Sequence, residues 1–138
     1  MLAENTVLTG RRAITRSYAK INLTLDVLSK RENGYHDIKM IMQTVSLFDL
    51  ILVDKTHRGI SISTNLPYLP CNEKNIAYKA ADAFFKATGI RGGAKIVIHK
   101  NIPVAAGLAG GSGNCAAVLT AMNMLHGNPL SNEELMHI

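Results

Sequence analysis

Four glycines and a serine stand close together in the stretch NIPVAAGLAGGSGNCAAVLTAMN, residues 101–123, between an apolar run and a string of small residues. A glycine-rich turn that feeds a helix aims several backbone N–H groups at one point, with the positive end of the helix dipole behind them. Anions bind at such points. Gly107, Gly110, Gly111 and Gly113 have this placement, and the Ser112 hydroxyl is available to a phosphate or to a phosphate-bound Mg²⁺. Two other phosphate loops are excluded: no lysine follows the glycines as a Walker A loop requires, and NIPVAA separates the preceding strand from Gly107, whereas a Rossmann loop turns tightly. On spacing alone, a phosphate cradle and a close-packed joint between loop, helix and sheet are equal readings.

Other polar residues gain or lose interest by their surroundings. Lys20 and Asn22 lie two apart in strand-like sequence and so share a face; taken alone, Lys20 reads as a solvated lysine. Tyr35 and His36 follow the turn dipeptide Asn33-Gly34 and by themselves read as ordinary turn residues. Asn75 stands before a helical pattern, where an N-cap role accounts for it. Cys71 and Cys115 are far apart, with no CxxC spacing or clustered histidines, so neither a zinc site nor a disulfide scaffold is indicated and a reducing cytoplasm is expected.

The elements that must position these residues follow from periodicity. Residues 1–12 read as a loosely ordered tail. AITRSYAKINLTLDVLS, 13–29, alternates Ile21, Leu23, Leu25 and Val27 with polar partners and reads as a strand; IKMIMQTVSLFDLILVD and GISIST resume extended structure after the turn. NIAYKAADAFFKATG, 75–89, switches to helical spacing, with Ile76, Ala80, Ala83, Phe84 and Ala87 on the inward face and Gly89 as a stop. AKIVIHK, 94–100, is a short strand into the loop. A second helix is expected from about Gly111, with Cys115, Val118, Leu119, Met122 and Leu125 on one stripe and Gly127-Asn128-Pro129 at its end. Ser131 and Glu134 form a capping-box pattern for a helix that has barely begun at Ile138, so the chain is expected to be a piece of something longer.

At 138 residues the chain is sized for one domain, and 47% hydrophobic against 18% charged residues places it among chains that fold. The net charge of +5 favours an anionic partner. The basic residues are dispersed, so a nucleic-acid arm is not expected. No signal-peptide pattern and no run of eighteen apolar residues is present, so no membrane span is expected.

The segment P-x-x-x-G-L-A-G-G-S, Pro103 to Ser112, resembles the central motif of the GHMP kinases, the superfamily of galactokinase, homoserine kinase, mevalonate kinase and phosphomevalonate kinase. SYAKINLTLDVLSKRENGYHDI resembles the N-terminal signature of the branch that phosphorylates 4-diphosphocytidyl-2-C-methyl-D-erythritol with ATP, on the methylerythritol phosphate route to isoprenoid precursors; EKNIAYKAA is similar to that branch too. The likeness runs from about Arg16 to Ile138. It implies an α+β fold, the GHMP N-terminal nucleotide-binding domain, with a mixed β-sheet packed against helices and a left-handed β-α-β element.

The resemblance also implies roles. Pro103, Val104, Ala105, Ala106, Gly107, Leu108, Ala109, Gly110, Gly111, Ser112 and Gly113 would wrap the ATP phosphates, with Asn75 near the adenine. Lys20 would be catalytic, stabilising the substrate hydroxyl as it loses its proton; Asn22 would contact substrate; Tyr35 would stack on the cytosine and His36 would hydrogen-bond it. Mg²⁺ is expected with ATP, without an assigned protein ligand. The family's aspartate base and C-terminal domain would lie past Ile138, since Asp26, Asp37 and Asp49 do not match the base. The implied partners are therefore cytidylylated methylerythritol and ATP, with little activity in this chain alone and self-association through apolar surface that the second domain would cover. Gly113, where many relatives carry a second hydroxyl residue, is expected to loosen phosphate contacts. The rival readings are another GHMP small-molecule kinase and a non-catalytic nucleotide- or nucleic-acid-binding module.

Overall fold

The computed structural model describes residues 3–138. After a short 3-10 turn the chain forms β1 (Thr6–Thr9), β2 (Arg12–Lys30), β3 (His36–Thr56), β4 (Gly59–Thr64), α1 (Ile76–Thr88), β5 (Gly93–His99), α2 (Gly110–Leu125) and α3 (Asn132–Met136). The strands make one sheet in the order β1-β2-β3-β5-β4. All neighbours are antiparallel except β4 and β5, which run parallel because α1 carries the chain back between them. The sheet is thus mixed, as expected.

Residues 1–12 depart from the expected loose tail. Thr6–Thr9 pair with Arg12–Thr15 around a turn at Gly10, and Thr6 Oγ1 donates to Thr15 Oγ1 at 2.9 Å under cover of the sheet. A tight hairpin ties the segment down although its composition is polar, because every second residue of β2 from Ala13 to Ala19 is buried and β1 shares that edge. Met1 and Leu2 lie outside the described residues.

The core is a layer between the sheet and α1 with α2. Ala13, Ile51, Val53, Ile62, Ile96 and Ile98 from the strands meet Ala77, Ala80, Ala81 and Phe84 of α1 and Ala117, Val118, Ala121 and Met122 of α2. The expected inward face of α1 is off by part of a turn: Ile76 and Ala87 are exposed, Ala83 is only half-buried, and Ala77 and Ala81 are buried instead. In α2, Val118, Leu119 and Met122 are buried as expected, while Cys115 and Leu125 are half-buried. Both helices are rich in alanine, so two small-residue faces compete; contact with the sheet and between the helices selects one. Asn75 caps α1 by accepting from the Ala77 N–H at 3.0 Å, and Gly89 ends it in the left-handed region. At α3 the capping box forms, with Ser131 N–H donating to Glu134 Oε2 at 2.7 Å.

Beyond Arg16 on β2, and before Leu50 on β3, neither strand has a further neighbour. The hairpin continues as a two-stranded ribbon past the helix layer to its turn, where Gly34 takes φ 85°. Three register irregularities bend it. Its alternating Ile21, Leu23, Leu25 and Val27 are strand residues as read, yet all four are exposed, as are Leu28, Ile38, Ile41 and Met42.

Candidate functional site

The loop at the end of β5 is rooted in a buried carboxylate. Asp49 on β3 is fully buried; its Oδ1 accepts from the Asn101 and Ile102 N–H groups, each at 2.8 Å, and its Oδ2 takes the Lys100 ammonium, which is itself almost fully buried. Asn65 clamps the other side, accepting from Lys100 N–H at 2.7 Å and donating to its carbonyl at 3.1 Å. A buried ion pair whose remaining lone pairs are filled by backbone donors holds one geometry, because losing either partner strands a charge in the core. Neither Asp49 nor Lys100 stood out in the sequence: they lie 51 residues apart, and the Leu50–His99 pairing of β3 with β5 brings them together. The signal was local, a lysine immediately before the loop.

From this root the chain passes through Pro103 to Ala109 with three left-handed residues, Ala105 (φ 59°), Gly107 (φ 73°) and Ala109 (φ 62°). Ala109 is the N-cap of α2 and supplies no side-chain cap, so the N–H groups of Gly110, Gly111 and Ser112 face outward from the first turn. Ser112 Oγ donates to the Ala109 carbonyl at 3.2 Å.

The glycines divide between the two readings. At Gly111 a Cβ would meet nothing within 4 Å, and this residue lines a cavity; its missing side chain leaves the helix terminus open to a ligand. At Gly110 a Cβ would sit 3.0 Å from Lys100 Nζ and 3.1 Å from Ile102 Cγ2, and at Gly113 it would sit 2.6 Å from Ser17 Oγ. Those two permit close approach of α2 to the loop root and to β2. Ser17 Oγ and Asn114 Oδ1 are buried beneath this turn without hydrogen-bond partners.

The cavity of about 260 Å³ opens beside the α2 terminus, with Leu69, Pro70, Asn75 and Ile76 on one side and Lys100, Val104, Gly111 and Asn114 on the other. It has the apolar walls and few polar groups of a small-molecule site. Thr64, Lys74 and Ile98 complete its lining; like Lys100 and Asn114, they carry no motif that marks them in the sequence. The Asn75 side chain is engaged in structure, donating from Nδ2 to the Pro70 carbonyl at 2.8 Å while it caps α1, and so shapes the wall.

Strand β2 joins the loop directly: Lys20 N–H donates to the Leu108 carbonyl at 3.1 Å. Lys20 Nζ donates to Asn22 Oδ1 at 3.3 Å, so the two share a side as the spacing predicts, and the pairing with β3 shifts register between Tyr18 and Lys20. The structure thus brings the loop, Lys20 and Asn22 to one place. Tyr35 and His36 do not join it. They lie at the ribbon's turn, exposed; His36 pairs with Lys30, ten residues beyond Lys20 along β2, which is at most about 33 Å of extended strand.

Other ionisable groups do different work. Arg31 and Ser29 hydrogen-bond Asp37 and hold its carboxyl below the ordinary value. Burial pushes the Cys115 thiol pKa above its ordinary value. Among the described residues, no three His, Cys, Asp or Glu side chains gather in a way that would hold a metal ion. An ion brought by a polyphosphate would find the Ser112 hydroxyl at the helix terminus.

This is the fold and the loop of the GHMP kinases, and the chain belongs to them: residues 75–138 match the GHMP kinases N terminal domain. Over 123 residues the chain is 50% identical to 4-diphosphocytidyl-2-C-methyl-D-erythritol kinase of Clostridium botulinum (strain Alaska E43 / Type E3), covering 89% of this chain and 44% of that protein. It is 49% identical over 125 residues to the kinase of the same name from Clostridium kluyveri, covering 91% and 45%. A crystal structure of 4-(cytidine 5'-diphospho)-2C-methyl-D-erythritol kinase superposes with a TM-score of 0.78 at 35% identity, over 90% of this chain and 44% of that one. The chain therefore spans less than half the length of the relatives it matches.

Proposed function

We propose that this chain is the nucleotide-binding part of an ATP-dependent kinase whose acceptor is a hydroxyl of 4-diphosphocytidyl-2-C-methyl-D-erythritol. The observation that supports it most is the joint between Lys20 and the loop: the Lys20 backbone N–H bonds to the Leu108 carbonyl, two residues before a helix whose first turn has no side-chain cap. The adenine enters the cavity between Pro70 and Val104, and the triphosphate runs along the N–H groups of Gly110, Gly111 and Ser112. The Ser112 hydroxyl would help hold a phosphate-bound Mg²⁺, which would offset the phosphate charge.

The acceptor oxygen attacks the γ-phosphorus in line, the bond to the β,γ-bridging oxygen breaks, and ADP leaves with that electron pair. Lys20 favours the oxygen as its negative charge grows, and Asn22 orients Lys20 and the acceptor. Asp49 is spent on Lys100 and the loop root and so does not serve as base; the hydroxyl proton goes to a carboxylate outside the described residues. Tyr35 and His36 recognise the cytosine once the ribbon curls over the bound substrate. We place this chemistry in the cytoplasm; among the described residues no helix is long and apolar enough to cross a membrane.

The test is ADP release by the complete enzyme built on this domain, with 4-diphosphocytidyl-2-C-methyl-D-erythritol, homoserine and mevalonate offered as acceptors. The first alone supports turnover, and Lys20→Ala lowers kcat about 100-fold or more. Equal turnover of the three acceptors, or an unchanged kcat in the variant, contradicts the proposal.

A further inference from the structure

The other end of the sheet carries a second concavity that the kinase reading does not use. The turn between β3 and β4 (His57, Arg58), Gly59 at the start of β4 and the connection from α1 to β5 (Ile90, Arg91, Gly92) form its rim, and Tyr78 and Phe85 of α1 with Ile60 form its walls, around a volume of about 520 Å³. Strand β5 separates it from the phosphate loop, starting at Gly93 beside the basin and ending at His99 near the loop root, a span of roughly 20 Å. The two rims are held together closely: a Cβ at Gly93 would overlap the backbone of Arg58 and Gly59, so only glycine lets the β3–β4 turn lie against the start of β5, two residues from Arg91.

Charge at this basin is uncompensated. Among the described residues the ion pairs engage Arg12, Arg31, Lys86 and Lys100, and none involves Arg58 or Arg91. The one carboxylate in the wall, Asp82, is taken by Lys86 at 2.6 Å. Two free guanidiniums over half-buried aromatic and aliphatic walls combine forked N–H donors for a phosphate with faces for a flat ring. The volume lies within the range of small-molecule sites, about 300–1,000 Å³.

We propose that this basin is a second ligand site, taking a small phosphorylated molecule whose flat or aliphatic body rests on Tyr78 and Phe85 while Arg58 and Arg91 hold the phosphate. The site is independent of the nucleotide loop. Its test is a titration of this chain with phenyl phosphate, and separately with inorganic phosphate, followed at the amide resonances of Gly59, Gly92 and Gly93 at the basin and of Gly107, Gly110 and Gly111 at the loop. Phenyl phosphate shifts the basin glycines saturably and at least about tenfold more tightly than inorganic phosphate does. The double variant Arg58→Ala/Arg91→Ala loses that response while its loop resonances and melting temperature stay at wild-type values. Absence of a saturable shift at the basin glycines, equal affinity for the two probes, or an undiminished response in the double variant overturns the proposal. Binding of ATP at the loop is read from the other three glycines in the same spectra, so the two sites fail or hold separately.

Discussion

Asp49 decides whether the loop has a fixed root, because one carboxylate satisfies two backbone N–H groups and a buried ammonium. Asp49→Ala leaves Lys100 charged and unpaired in the core, which costs about 3–5 kcal/mol and appears as a large drop in melting temperature in thermal unfolding. Asp82→Ala, which removes the exposed i,i+4 pair with Lys86, costs under about 0.5 kcal/mol in the same measurement. Gly113 makes a second residue-level case. Beside the expectation that glycine here loosens phosphate contacts stands a packing reason, since its missing Cβ leaves room for Ser17 Oγ. Gly113→Ala is expected to destabilise by about 1–3 kcal/mol, and Ser17→Ala in the same chain to restore most of it, because the hydroxyl is the group in the way. Denaturant unfolding of the two single variants and the double variant measures this; additive losses would remove Ser17 as the cause.

At the scale of elements, α2 begins on a strained residue and ends on a titratable one. Ala109 holds φ 62°, a region that costs an L-residue about 1–2 kcal/mol and costs glycine little. Ala109→Gly therefore stabilises the chain by up to about 1 kcal/mol after the greater unfolded-state freedom of glycine is subtracted, as a shift of the denaturant midpoint would show. At the other end, the His126 ring packs 5.5 Å from Phe84 and 5.9 Å from Phe85, centroid to centroid, with Nε2 buried and unpartnered. Burial first, and the charge of Lys55 second, lower its pKa, so the unfolded chain binds this proton more readily than the folded one. The contribution is full above about pH 6.5 and is lost as pH falls through that value toward the lower folded one. Melting temperature declines over this range, and His126→Phe flattens the decline. Element types and turns were legible because caps and glycines mark them: Asn75 and Gly89 bound α1, Ser131 starts α3, Gly34 turns the ribbon. Which alanines face inward was not, since Ala77 and Ala87 differ only in what the fold places beside them. Nor was the Asp49–Lys100 pair, which exists only through the register of two strands distant in the chain.

Across the whole molecule, the sheet has one end that carries the glycine-rich loop and a long ribbon that leaves the helix layer behind. Period-two alternation in 21–27 foretold the strand but carries no information on whether a layer lies over it, and here the described residues place none there. An isolated two-stranded ribbon is marginal in water, and Leu23, Leu25, Val27, Leu28, Ile41 and Met42 give it an apolar surface that favours association. We expect this chain to show a concentration-dependent mass in light scattering, and Leu25→Lys/Val27→Lys to return it to a monomer. The central claim is that the loop joined to Lys20 is a nucleotide site, and the most direct measurement is calorimetric titration of this chain with Mg²⁺–ATP alongside its Gly111→Val variant, which fills the open side of the α2 terminus without touching the core. The account predicts a one-to-one isotherm for the chain and at least about a tenfold loss of affinity in the variant; no binding by the chain, or equal binding by both, would contradict it.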